Sequence, residues 1–397
     1  MSGHEHPTAP LTEAIERIGR RAASADAEAA FSEETLADLG ASGLLHAMVP
    51  PEAGGLGFTD GQFCAAAVSL GAACLSTAYV WVMHCQQADL VFRHGSPVVR
   101  KAARKVIDDG QLLCSVTTER QGADTLYPGI ATANTSLAAG RSPGSWLLQR
   151  DAPVVSAARH AGAFLVTAAG ADSNTVTMAW VPASATLDGV AGMRKCSPLN
   201  GMRATENRSL VLEAEGDEDL LIGGALGFSG VAKARWSRLA HLGWAASWVG
   251  AAAHVIEQAT GGPARKRFAR RRAVGSMPRA SLARAVWELE SVTGALLRHQ
   301  QELSGETTGI RVNEHVTVRS NLLKVGASET CFRVVDSVVA DIGAPALAPG
   351  SDIERHWRDL RMTALVTRND ALLVGTGNLL SLRAYQMRTL VEDLWAS

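Results

Sequence analysis

The spacing of apolar and polar positions divides the chain into three zones. From about Leu11 to Asp109 the period is helical. LTEAIERIGRRAASADAEAA sets apolar residues at helical intervals among Ala and Glu, both good helix formers. PPEAGGLG, Pro50 to Gly57, is a turn-rich break. FCAAAVSLGAACLSTAYVWVMHCQQADLVFRHG then predicts long helices whose small residues let them pack closely. From Leu113 the runs shorten. LLCSVTTE, GSWLLQ, PVVSA, AFLVTAAG, TVTMAWVPA and RSLVLEA are rich in β-branched residues and are separated by Gly, Pro, Ser, Asn and Asp. That pattern predicts an antiparallel sheet or small barrel. From about Gly223 helices return. VAKARWSRLAHLGWAASWVGAAAHVIEQATGG reads as one long helix closed by two glycines, and further helical segments are predicted over 278–303, 313–341 and 369–393. Trp236, Trp244 and Trp248 fall near one face of the long helix, since eight and four residues are close to whole turns. A core stripe is favoured over a cofactor stack. No internal repeat is visible.

Composition narrows the class. The chain has 397 residues, 47% of them apolar and 19% charged, which is globular rather than disordered. The net charge of −1 argues against a dedicated binder of nucleic acid or of an acidic membrane. The longest apolar region, Leu242 to Ile256, is too short and too interrupted to span a bilayer. The N-terminal stretch lacks an apolar signal core. Six cysteines are present without a CxxC pair, which argues against a zinc cage and fits a reducing cytoplasm.

Helices, a small β domain and a helical bundle follow one another in the order of the acyl-CoA dehydrogenase superfamily, and local motifs carry the resemblance from about residue 36 to 390. LGASGLLHAMVPPEAGGLG resembles the family's N-terminal Gly/Pro segment. SVTTERQGAD resembles its flavin loop, and APVVSAARHAGAFLVTA resembles a strand pair beside the flavin. GMRATEN matches its Gly-Met-Arg turn, and IERHWRDLR resembles its Arg-Asp segment. The resemblance implies an α+β fold: an N-terminal helical domain (1–112), a middle antiparallel β domain (113–222) and a C-terminal four-helix bundle (223–397).

It also implies FAD, held between the β domain and the helices of two subunits, so that the working unit is a homodimer or tetramer. Thr117, Thr118, Gly122 and Ala123 would line one side of the flavin. Ser156 falls where the family keeps a hydroxyl beside flavin N5, a donor suited to charge developing on the ring. Val154 stands where the family has an aromatic residue. Arg265 and Phe268 match a pair that reaches the neighbour's cofactor, an Arg fork suiting pyrophosphate. Gly343 survives from a glycine-rich cofactor contact that is otherwise eroded to Ala340 and Ala344, which implies a weaker hold on FAD. Asn369 falls beside the same site. His84, Arg238 and Trp244 would border the acyl pocket.

A dehydrogenase of this kind removes a proton beside a thioester carbonyl, and a buried carboxylate is the usual base. The two positions that supply it in relatives are Thr367 and Ser237 here, and neither is acidic. His241 is a further candidate on the long helix. The first reading is therefore an FAD-dependent oxidoreductase acting on an acyl thioester, on CoA or a carrier protein, with hydride transfer to flavin but without the usual Glu. Alternatives are a flavin-dependent monooxygenase, using FMN or reduced flavin from a reductase together with oxygen, and a redox-silent relative used for binding or rearrangement. GTG at Gly375 to Gly377 lacks the third glycine of a dinucleotide loop and is read as part of the last helix.

Overall fold

The computed structural model describes residues 9–119, 137–142, 144–169, 176–223, 227–261, 277–305, 314–365 and 368–382. The N-terminal helices are α1 (Ala9–Glu28), α2 (Glu33–Ala41), α3 (Asp60–Ala73), α4 (Leu75–His94) and α5 (Pro97–Asp108). Their starts are written locally. Ser32 caps α2, Ser96 caps α5 with Pro97 behind it, and Thr59 with Gln62 forms a capping box on α3. Between α2 and α3 the turn-rich stretch needs left-handed backbone at Gly54 and Gly57, with φ of 79° and 58°.

The middle region holds β1 (Leu112–Val116), β2 (Ala138–Ala139), β3 (Trp146–Ser156), β4 (Ala161–Ala169), β5 (Val176–Pro182), β6 (Arg194–Lys195), β7 (Asn207–Gly216) and β8 (Leu221–Ile222). They form two four-stranded sheets, ordered β1-β4-β5-β8 and β2-β3-β7-β6. The pairing is antiparallel except between β1 and β4, which run parallel. GSWLLQ and PVVSA, read from sequence as separate runs, are one strand. A bulge between Ala152 and Val155 absorbs Pro153, which cannot donate to the ladder.

The C-terminal helices are α6 (Gly227–Val231), α7 (Ser237–Thr260), α8 (Met277–Gly305), α9 (Glu314–Ile342), α10 (Asp352–Met362) and α11 (Asn369–Leu382). The single helix expected from residue 231 is broken by a π turn, Ala232–Trp236. Such a turn leaves carbonyls short of partners, and side chains meet them. Gln86 Nε2 donates to Trp236 O at 3.0 Å, and an Arg238 guanidinium N–H donates to Ala234 O at 3.0 Å. Arg235 in the same turn is gripped by Asp60 at 2.7 Å and Asp89 at 2.9 Å, which ties the turn to α3 and α4. The expected close packing of small residues is found between α3 and α7. A Cβ on Gly71 would lie 2.0 Å from Ser247 O, and one on Gly250 would lie 2.0 Å from Val68 O. GTG does lie within α11.

Two of the motifs quoted above dock on each other. The backbone N–H of Met202, at φ 54°, donates to Asp359 Oδ1 at 2.5 Å, while a Cβ on Gly201 would collide with Arg358 O at 2.1 Å. Arg358 in turn bonds Asn200 O and Asp26 at 2.7 Å each. The Gly-Met-Arg turn and the Arg-Asp pair thus lock the β domain to α1 and α10. That is a structural use, not a chemical one. All six cysteines are free, and burial pushes the thiols of Cys64, Cys114 and Cys331 up to about 12. Among the described residues no helix is long and apolar enough to cross a membrane.

Candidate active site

The first part of the site is a sheet edge. Ser156 ends β3, and the chain leaves it through Ala157 in the left-handed region, at φ 52°. Its Oγ donates to Asn207 Oδ1 at 2.8 Å, across the β3–β7 ladder. Thr118, just past the end of β1, donates from Oγ1 to Val154 O at 2.8 Å. Val154 sits in the β3 bulge, which turns its side chain out of the ladder and leaves it 45% exposed. An open apolar residue therefore lies between two neutral hydroxyls. That combination fits a flat, mostly apolar ring with polar edges, so the described part of the edge fits a flavin. Behind it, Glu119 pairs with Arg150, whose side chain is fully buried. Burial lowers the Arg150 pKa, and Glu119 holds it charged. Glu119 is thus a strut.

The second part lies inside the helical bundle. Lys324 of α9 is fully buried. Its Nζ donates to Asn369 Oδ1 at 2.6 Å and to Thr363 O at 3.3 Å, and stands 5.7 Å over the Trp248 ring. Asn369 Nδ2 donates onward to Ser328 Oγ at 3.0 Å and Glu329 Oε1 at 3.1 Å. One ammonium therefore grips both flanks of the segment that contains Thr367. Burial pushes the Lys324 pKa down to about 7, against the pull of Glu329. On the neighbouring face, His241 Nδ1 bonds Ser320 Oγ at 3.1 Å. Burial first, then the charges of Lys324 and His299, push its pKa down to about 3, so the ring is neutral near pH 7. Trp244 stacks on Tyr79, with centroids 5.5 Å apart, and lies 6.2 Å from His241. Its indole N–H is buried without a hydrogen-bond partner among the described residues.

The expected site residues therefore separate. Thr118, Val154 and Ser156 come together, with Thr117 half-buried beside them. His241 and Trp244 come together on α7, with Arg238 buried one turn before them and Ser237 half-buried as the first residue after the π turn. Gly343 ends α9 at φ 85°. Gly122, Ala123, Arg265, Phe268 and Thr367 lie outside the described residues.

Two of the expected residues are engaged within the chain, the first being His84. Both ring nitrogens are used internally, Nε2 on Leu45 O at 2.8 Å and Nδ1 accepting from Leu113 N–H at 3.0 Å, so it joins α4 to β1. Burial holds its pKa down at about 4. Asn369 is turned inward to Lys324. Lys324 and Asn207 were not singled out from sequence. The signal for Lys324 was present: Ser320, Asn321, Lys324 and Ser328 form a polar stripe at helical spacing on a face that is otherwise apolar.

Comparison with known proteins gives this geometry a family. The model of the acyl-CoA dehydrogenase N-terminal domain matches residues 12–110, and that of the acyl-CoA dehydrogenase C-terminal domain matches residues 240–368. L-evernosamine nitrososynthase of Micromonospora sp. is 27% identical over 363 residues, covering 88% of this chain and 83% of the relative. Among solved structures, the FMN-bound dibenzothiophene monooxygenase of Paenibacillus sp. A11-2 superposes with a TM-score of 0.78 at 15% identity, over 95% of this chain and 97% of the other. Butyryl-CoA dehydrogenase of Megasphaera elsdenii gives a TM-score of 0.78 at 17% identity, over 96% and 100%. The two family models together match more than half of the chain, and the protein belongs to the acyl-CoA dehydrogenase superfamily.

Proposed function

We propose that the protein is a flavin-dependent monooxygenase that oxidises a small molecule, with reduced flavin delivered by a separate reductase. One observation carries the reading: the two positions that hold the dehydrogenase base are Ser237 and Thr367, neither acidic, and the buried ionisable side chains described near Ser237 and beside the 363–369 segment are Arg238, His241 and Lys324, none of them a carboxylate. Glu329, the carboxylate that reaches Asn369, is exposed. A site without a carboxylate base is poorly suited to removing a carbon-bound proton beside a thioester. It suits a reaction that needs no such base. The relative named a nitrososynthase and the structural neighbour named a monooxygenase support the same class.

Bound reduced flavin supplies two electrons for activating dioxygen, one oxygen atom going to substrate and the other to water. The chain's own part is to bind, orient and exclude water. Ser156 and Thr118 would present hydroxyls to the polar edge of the ring, and Val154 its apolar surface. The Lys324 clamp fixes the segment around Thr367, and neutral His241 with Trp244 and Tyr79 forms an uncharged wall. Flavin shared between copies through Arg265 and Phe268 belongs to the same reading.

A second reading, oxidation of an acyl thioester, is favoured by the fold likeness to butyryl-CoA dehydrogenase. One experiment separates the two. The flavin-loaded protein is titrated anaerobically with a panel of acyl-CoAs, then assayed with a flavin reductase, NADH and oxygen against amines and sulfur heterocycles. Oxygen-dependent product without anaerobic bleaching supports the monooxygenase. Anaerobic bleaching by an acyl-CoA overturns it.

A further inference from the structure

Away from the candidate active site, three metal-ligating side chains converge where α7, the end of α3 and the start of α10 meet. His254 Nε2 bonds Asp352 Oδ2, and His356 Nδ1 lies 3.4 Å from Asp352 Oδ1. One ligand atom from each of the three residues falls within 4.8 Å of the others, and the two rings stand 5.1 Å apart. His356 is fully buried, and its Nε2 donates to Ala72 O at 3.1 Å. A backbone carbonyl on the far nitrogen is the support that metal-bound histidines receive, because it fixes the tautomer and aims Nδ1 at the site. Asp352 is itself oriented by Arg355, which bonds Oδ1 and leaves Oδ2 turned toward His254.

We propose that His254, Asp352 and His356 form a binding site for a divalent transition-metal ion of the zinc class. The donor set is two imidazole nitrogens and one carboxylate oxygen, which selects Zn²⁺, Ni²⁺ or Cu²⁺ over Mg²⁺ or Ca²⁺, ions that prefer all-oxygen shells. Zinc–nitrogen bonds of about 2.0–2.1 Å require the donors to close inward from their present spacing. His254 can supply that movement, being only partly buried at the rim. In the ion's absence Nδ1 of His356 lies 2.9 Å from Asp352 O, a local contact that metal binding would exchange. Asp352 is half-exposed, so water completes the shell and no open channel is needed. The nearby Arg355 charge weakens cation binding, so the site is a moderate-affinity staple between α7 and α10, not a catalytic centre.

The test uses the full chain with any affinity tag removed. Zn²⁺ alone is titrated by calorimetry, with Mg²⁺ as control and with thermal unfolding followed in parallel. His4 and His6 near the N-terminus could also take up metal, so the background is a variant with both changed to Ala. Expected is one Zn²⁺ per chain, a raised melting temperature reversed by chelator, no response to Mg²⁺, and a drop in affinity of at least about tenfold in His254→Ala and in Asp352→Asn. His254→Ala removes a rim side chain and leaves the fold and the metal-free oxygenase activity intact. Absence of stoichiometric Zn²⁺ binding, or equal binding in His254→Ala, would overturn the proposal and leave an ion-paired cluster only.

Discussion

At the sheet edge, Thr118, Val154 and Ser156 keep neutral polar atoms and an apolar side chain open to solvent. Inside the bundle, Lys324, Asn369 and Ser328 are sealed from it and bonded to one another, and buried His241 bonds Ser320. The difference follows from what each region must do. A cofactor ring displaces water from an edge, so polar atoms there need only short local bonds in its absence. A buried ammonium has no water to return to, so every partner must be built in. The proposed cofactor edge and the buried polar cluster are thus separate regions, and mutations should separate them.

The largest effect is expected inside. Lys324→Ala would leave Asn369 Oδ1 and Thr363 O without their donor and open a cavity beside Trp248, costing about 3–5 kcal/mol of stability in urea denaturation. A loss within about 0.5 kcal/mol would show that the clamp is not a support. The acid limb of stability comes next. His241 titrates at about 3 in the fold and at 6.5 in the unfolded chain, so between these values the unfolded chain binds the extra proton. Stability is full above 6.5 and falls as pH drops through that window, by up to roughly 1.4 kcal/mol per pH unit. His241→Gln should flatten this limb in denaturation curves taken from pH 7 to 4. Lys324 has the same sign at higher pH: stability should rise between about 7 and 10.5 as the unfolded chain, still charged, loses its advantage.

The edge predicts the reverse balance of effects. Ser156→Ala should change stability by less than about 1 kcal/mol while slowing flavin-dependent turnover by about tenfold or more. Unchanged turnover in a stopped-flow assay would remove Ser156 from the site. The smallest effect is expected for Val154→Trp. The exposed bulge has room for a ring, and flavin affinity read by fluorescence quenching should tighten by several-fold, about 1 kcal/mol. Weaker binding would mean that the ring does not cover that face.

Much of the fold was legible because burial periodicity is a local signal. The Ala-rich α3, the apolar α4, the long α9 and the alternating β3 and β7 all announce themselves. What sequence hid was set by partners far along the chain. Parallel pairing of β1 with β4 leaves no mark on either strand. The π turn keeps the composition of a helix and differs only in where its carbonyls point. The segment Asp352–Met362 was legible as a motif but not as a helix, although Ser351 caps it. At the candidate site, Ser156 and Val154 were singled out because the resemblance pointed at them, and Pro153 explains why Val154 faces out. Lys324 was missed because a lysine in a helix ordinarily lies on the surface. For His84, only structure shows that both of its nitrogens are already engaged.

The π turn at Ala232–Trp236 behaves as a one-residue insertion in an otherwise regular helix. Deleting a single residue there would swing everything upstream by about 100° and carry Arg235 away from Asp60 and Asp89. The helix face that begins at Ser237 is therefore aimed independently of the residues before it. A lineage could re-index that face toward new substrates by losing or gaining one codon, with the tryptophan-packed remainder of α7 left undisturbed.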